Sequence, residues 1–136
     1  MDEAWIGRPA DGLCLRPVDR DEHGTATFVE ATLQVPGLEA RRTVVHHYAT
    51  GFDDLLAFFA DLERDWKGWE GPRVFASLEH DLTLAATHDG HVRLAVQLRE
   101  STVPDGWDVS AVLRLDPGEQ LSQISAELRA VLAPRP

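Results

Sequence analysis

One segment in the middle of the chain, Phe52 to Trp66, keeps a helical period, while the segments on both sides of it alternate residue by residue. Leu55, Phe58, Phe59, Leu62 and Trp66 recur at three- and four-residue spacing, with Asp53, Asp54, Asp61, Glu63, Arg64 and Asp65 between them. A chain that switches period in this way must build both strands and helices. Thr50 followed by Asp53 predicts a capped start and Lys67-Gly68 a stop, which sets a helix over about 52–66. Its aromatic stripe needs a sheet to lie on.

The alternating segments supply that sheet. After a frayed start, Leu13 and Leu15 alternate with Cys14 and Arg16, and Pro17 with the polar run Asp19-Arg20-Asp21-Glu22 predicts a stop. Thr27, Val29, Ala31, Leu33 and Val35 form one face of a longer strand. Pro36-Gly37 suits a tight turn, because proline presets the first corner and glycine accepts positive φ at the second. Leu38, Ala40, Val44, His46 and Tyr48 continue that face on the return, and Arg42 breaks the apolar series.

Beyond the connector Trp66–Arg73, the run Val74–Leu78 reads as a short strand or a turn. Leu82, Leu84 and Ala86 then face the same way as Val92, Leu94, Val96 and Leu98. A two-residue turn at Asp89-Gly90 would set Leu84 beside Arg93 and Ala95. A three-residue loop, His88-Asp89-Gly90, pairs Thr87 with His91 and Leu84 with Leu94, which keeps the apolar faces together. The longer loop is therefore expected, with Gly90 left-handed. A last strand carries Trp107, Val109, Ala111, Leu113 and Leu115 after a Pro104-Asp105-Gly106 turn.

Asp116-Pro117-Gly118-Glu119 predicts a helix start, with an acidic cap and proline at the first position. Leu121, Ile124, Leu128 and Leu132 face the core of a helix over about 117–132, ended by Pro134. The order strands, helix, strands, helix predicts one α+β domain over residues 1–136. Its expected form is a mostly antiparallel sheet of about five or six strands with both helices packed on one face. With 136 residues, 43% of them hydrophobic, one core is within reach without staples.

Charge narrows the function classes. The net charge is −10, from 23 acids against 13 bases, which argues against binding phosphate backbones and suits a basic partner. The single cysteine, Cys14, has no internal partner for a disulfide. The acidic opening Met1-Asp2-Glu3 lacks the basic region of a signal peptide, and no run approaches the ~20 apolar residues of a membrane span. A cytoplasmic location is the expectation.

Signatures of catalysis are missing from the pattern. Cys14 stands between Leu13 and Leu15, with no base adjacent to it to activate it. Ser77, Glu79 and His80 are close in sequence, but acyl transfer needs a spatial triad. Glu79 and Asp81 stand two apart in a chain rich in acids, a weak pair for acid/base work. No phosphate loop or dinucleotide fingerprint is present, and no cofactor is expected. His88 and His91 flank Asp89-Gly90 and offer at most two ligands of a metal site, so the simpler reading of that stretch is turn chemistry. His46 and His47 are adjacent in a strand and point to opposite faces. Trp66 continues the helical stripe into the core. Trp69, between two glycines, must either cap the core edge or face a partner. Arg73 and Glu70 beside it would pair with one another or with backbone carbonyls.

The run Trp66-Lys67-Gly68-Trp69-Glu70-Gly71, with Arg73, Ser77-Leu78-Glu79, Asp81-Leu82 and His88-Asp89-Gly90-His91-Val92, resembles a family of small actinobacterial proteins of unknown function. That family is similar in turn to the WapI-type immunity proteins, which protect a cell from a toxin delivered by its siblings. The resemblance spans about Leu13 to Leu132 and implies a non-enzymatic immunity-like domain that blocks a toxin by covering it, and the acidic surface would complement a basic, nuclease-type toxin. Candidate contacts are Asp19, Asp21 and Glu22 in the first loop, Asp53 and Asp54 at the helix start, Trp69, and Asp105 and Asp108 near the last turn. The alternative is a small-ligand or metal-binding module on the polar sheet face around His91, Arg93, Gln97 and Arg99.

Overall fold

Two antiparallel sheets of four strands each, and not one sheet of five or six, make up the β part of the protein in a computed structural model that describes residues 2–100 and 105–134. The first sheet is a meander of β1 (Ala4–Arg8), β2 (Asp11–Arg20), β3 (Ala26–Val35) and β4 (Leu38–Val45). The helix α1 (Asp53–Arg64) then carries the chain to a second meander, β5 (Arg73–Ala76), β6 (Leu82–His88), β7 (Val92–Arg99) and β8 (Asp108–Leu115), and α2 (Glu119–Leu132) closes the fold. Alternation reveals which face of a strand is buried but not which strand it pairs with. With α1 and its connector between them, β4 and β5 never pair.

Each sheet buries one face, and the two buried faces meet the helix stripes in one core. Ile6, Leu13, Leu15, Val29 and Leu33 come from the first sheet, and Leu82, Leu84, Leu94, Val96, Leu98 and Leu115 from the second. Leu55, Phe59 and Leu62 of α1 and Leu121, Ile124 and Leu128 of α2 join them. The helices pack on each other, α2 lies against β1 and β2, and α1 lies against β5.

Several local expectations change. The frayed start is β1, paired to β2 from Ala4↔Leu15 to Arg8↔Asp11. Pro17 does not stop β2. Since β1 pairs no further than Leu15, Pro17 sits where the outer edge of β2 is open, and a bulge follows between Pro17 and Asp19. Arg20 at the strand's end donates to Val131 O of α2 at 2.7 Å, satisfying a terminal helix carbonyl. At the other end of the first hairpin the strands press together at Gly12, where a Cβ would stand 2.5 Å from Ile6 O. The Pro36-Gly37 turn forms as expected, with Gly37 at φ +83.

The helices start later than expected. The N-cap of α1 is Phe52, with no side-chain cap, and the Thr50 hydroxyl donates to Asp54 at 3.4 Å instead. For α2 the N-cap is Gly118, and Gln120 Oε1 accepts the Asp116 N–H at 2.7 Å. Trp66 lies past the end of α1, outside the buried stripe, and is 48% exposed. The β6–β7 loop has three residues, but they are Asp89-Gly90-His91: His88 pairs with Val92 and Leu84 with Val96. The register is two residues from the expected one. A shift of two keeps the same face inward, so burial alone does not choose between them. Gly90 is left-handed, at φ +99. In the turn before β8, Pro104 lies outside the described residues.

Candidate functional site

Several of the acids singled out in the sequence are engaged by groups close to them. Asp21 organises its own loop: its carboxylate accepts the N–H groups of His23 at 2.8 Å and Thr25 at 3.0 Å. Those bonds, Thr25 first, hold its pKa below the ordinary carboxylate range. Asp19 accepts the Arg20 N–H, and Glu22 faces His23 at 3.5 Å. Asp108 accepts Gln97 Nε2 at 3.0 Å and faces Arg99 Nε at 3.3 Å. Asp105 is exposed in the turn before β8. Asp53 and Asp54 occupy the exposed first turn of α1.

Trp69 is held on three sides. Its indole N–H donates to Ala86 O at 3.1 Å, the Arg73 guanidinium lies 4.9 Å over its ring, and the His88 ring meets it edge-on at 5.0 Å. It is half-buried and packed against the core, the capping role, with little left for a partner. Arg73 also bonds Asp65 at 2.9 Å and Asp61 O at 3.3 Å, so the carboxylate it uses is Asp65 and not Glu70. Arg64 and Arg73 together hold the Asp65 carboxyl below its ordinary pKa. These bonds tie the first residue of β5 to the last turns of α1.

His88 and His91 diverge. His88 Nε2 lies 2.9 Å from Trp66 O and its Nδ1 accepts the Gly90 N–H at 3.1 Å. His91 lines a notch of about 480 Å³ at the ends of β1 and β8, with Arg8, Asp11, Arg114 and Asp116. Among the described residues no group of three or more His, Cys, Asp or Glu side chains is placed to hold a metal ion. On the polar sheet face, Arg93 is engaged by Asp89 at 3.2 Å, while Gln97 and Arg99 share Asp108.

Ser77 works with Asp81, not with Glu79 and His80. Its hydroxyl donates to the buried Asp81 carboxylate at 2.6 Å and accepts the Leu82 N–H at 3.0 Å, while Arg42 Nε closes on the other Asp81 oxygen at 3.1 Å. Glu79 reaches Arg42 at 3.8 Å from the surface. Ser77 and Arg42 both close on Asp81, which makes the cluster a lock between β4 and the start of β6. Cys14 is buried, and its thiol lies 3.5 Å from Glu3 Oε2. Burial first, then the bond to Glu3 and its negative charge, push the thiol pKa up to about 12, the opposite of an activated nucleophile.

A groove of about 510 Å³ between α1 and β5 does bring acids together with apolar surface. Asp54, Ala57 and Asp61 form its helical wall, Asp61 already bonded by Arg64 at 3.0 Å, with Phe58 and Phe75 as its floor and Arg73, Val74 and Ala76 of the edge strand β5 as its far wall. At the head of α1, Tyr48 stacks on His47 with centroids 4.5 Å apart and is 84% exposed. Sequence reasoning placed Tyr48 on a strand face and passed over β5 as a site. The available signal for Tyr48 was its position between two short runs, His46-His47 and Ala49-Thr50-Gly51, at the end of the alternation.

No curated protein and no solved structure matches the chain. No helix among the described residues is long and apolar enough to cross a membrane. The model of a family of unknown function (DUF6228) matches residues 7–135, and the chain belongs to that family.

Proposed function

We propose that this protein is a non-catalytic binding domain that covers a basic partner protein in the cytoplasm, as an immunity protein covers the toxin it neutralises. The observation that carries this reading is the α1–β5 groove, where Asp54 and Asp61 on one wall and Arg73 on the other flank the apolar floor of Phe58 and Phe75, in a chain of net charge −10. Negative potential steers a basic partner to the surface, and the exposed ring of Tyr48 beside the acidic helix start supplies the kind of aromatic anchor that carries interface energy. Ser77, Asp81 and Cys14 are engaged or buried, which leaves the reactive side chains structural work.

The test is coexpression with the product of the adjacent gene, scored by cell survival, together with association kinetics at several salt concentrations. Rescue from toxicity and an association rate that falls about tenfold from low to physiological salt are expected. Absence of both rescue and complex would remove the reading.

A further inference from the structure

The edge of a sheet presents unpaired N–H and C=O groups, and β5 is the outermost strand of the second sheet. The Ser77 N–H donates to Leu82 O at 2.9 Å. In the antiparallel ladder this makes Phe75↔Leu84 and Arg73↔Ala86 the other hydrogen-bonded pairs. Val74 and Ala76 therefore turn their N–H and C=O groups away from β6. The Val74 side chain stands on the outer face and is 62% exposed. Alongside that open edge runs the flank of α1 with Asp54 and Asp61. Acids alone would not locate a site, but acids beside an open edge and an aromatic floor do.

We infer that the partner docks by adding an extended segment to β5 as a fifth strand, with lysine or arginine on the side chains that face α1. This rests on the protein-binding reading above and specifies its mode. Main-chain bonds to Val74 and Ala76 supply affinity, and alternate side chains supply choice. One set points inward to the carboxylate of Asp54, which the Thr50 hydroxyl reaches at 3.4 Å, and to that of Asp61, which an incoming cation would share with Arg64. The two are seven residues apart on the helix and so about 10 Å apart along its axis. Basic residues two or four positions apart in a strand, about 7 or 14 Å, bracket that distance within the reach of their side chains. The other set lies on the outer face beside Val74, where small apolar residues fit.

The probe is an acetylated nonapeptide alternating lysine with valine or threonine, compared with the same peptide carrying a central proline. Binding to the full chain is read by fluorescence anisotropy. Val74→Pro removes an outward N–H and leaves the β5–β6 ladder intact, a change edge strands tolerate. Expected are binding by wild type, a loss of about tenfold or more with Val74→Pro and with the proline peptide, and a smaller, salt-dependent loss in Asp54→Asn/Asp61→Asn. Unchanged binding by a folded Val74→Pro, with loss in the Asn double variant, would overturn strand addition while leaving an acidic binding surface standing. No binding by wild type overturns the inference, and the coexpression test then decides the broader reading by itself. If Val74→Pro does not fold, amide exchange in the wild type decides. Slowing at Val74 and Ala76 on adding peptide supports the proposal, and unaltered exchange there overturns it.

Discussion

Arg42 on β4 reaches the buried carboxylate of Asp81 at 3.1 Å, and in doing so joins two sheets that share no backbone ladder. Asp81 is 1% exposed, and its other oxygen is bonded by the Ser77 hydroxyl. Removing Arg42 strands a charge where water does not reach. Arg42→Ala is expected to lower unfolding free energy by about 2–3 kcal/mol in urea titrations, and Arg42→Ala/Asp81→Ala by less than the sum of the two single changes.

Phe59 sits where α1 meets the core, fully buried and edge-on to Phe58 with ring centroids 5.1 Å apart. Phe59→Ala leaves a cavity between elements that hold one another in place. A loss of about 3–5 kcal/mol is expected, seen as a lower urea midpoint with an unchanged slope.

Cys14 offers a chemical readout. With its pKa pushed up to about 12, the thiolate fraction at pH 8 is far below that of a free cysteine. Alkylation by iodoacetamide is expected to run about a thousandfold slower in the native protein than in urea. Comparable rates in the two states would show that burial of the β1–β2 hairpin is not maintained in solution.

Asp65 ties stability to acidity. Its folded pKa lies below the ordinary carboxylate value because Arg64 and Arg73 favour the charged form. The folded state therefore binds fewer protons than the unfolded one in the window below about pH 4. This contribution is present above that window and is lost as pH falls through the folded value. Urea melts from about pH 6 to about pH 2.5 are expected to show a flatter acid decline for Asp65→Asn than for wild type. Parallel curves would count against the Arg64–Asp65–Arg73 arrangement.

The residues that stood out in the sequence explain what could and could not be read from it. Apolar alternation located most strands, and the α1 stripe was visible in Leu55, Phe58, Phe59 and Leu62. Trp66 looked like the next member of that stripe, but the helix ends at Arg64 and the period no longer applies beyond it. Arg42 was visible as a break, yet its partner lies 39 residues on, and nothing local points to it. The β6–β7 register failed by two residues for a similar reason: the observed pairing places His88 against Trp66 O and the Trp69 ring, both tertiary contacts. The groove was hidden because an open edge is a property of strand order. Asp54 was readable as an exposed acid, while its neighbours Val74 and Ala76 were ordinary residues of an uncertain strand.

Gly12 fixes a limit on how the chain can vary. A side chain there would strike the backbone of β1, at Ile6 O and at Arg8, and backbone has no rotamer to escape into. Gly37 and Gly71 have open space around them, so their constraint is conformational only. As relatives diverge, loops and surface charges are free to drift, but position 12 admits no replacement unless the first strand is released from the sheet. The hairpin that shelters Cys14 and seats α2 thus depends on the absence of a single carbon atom.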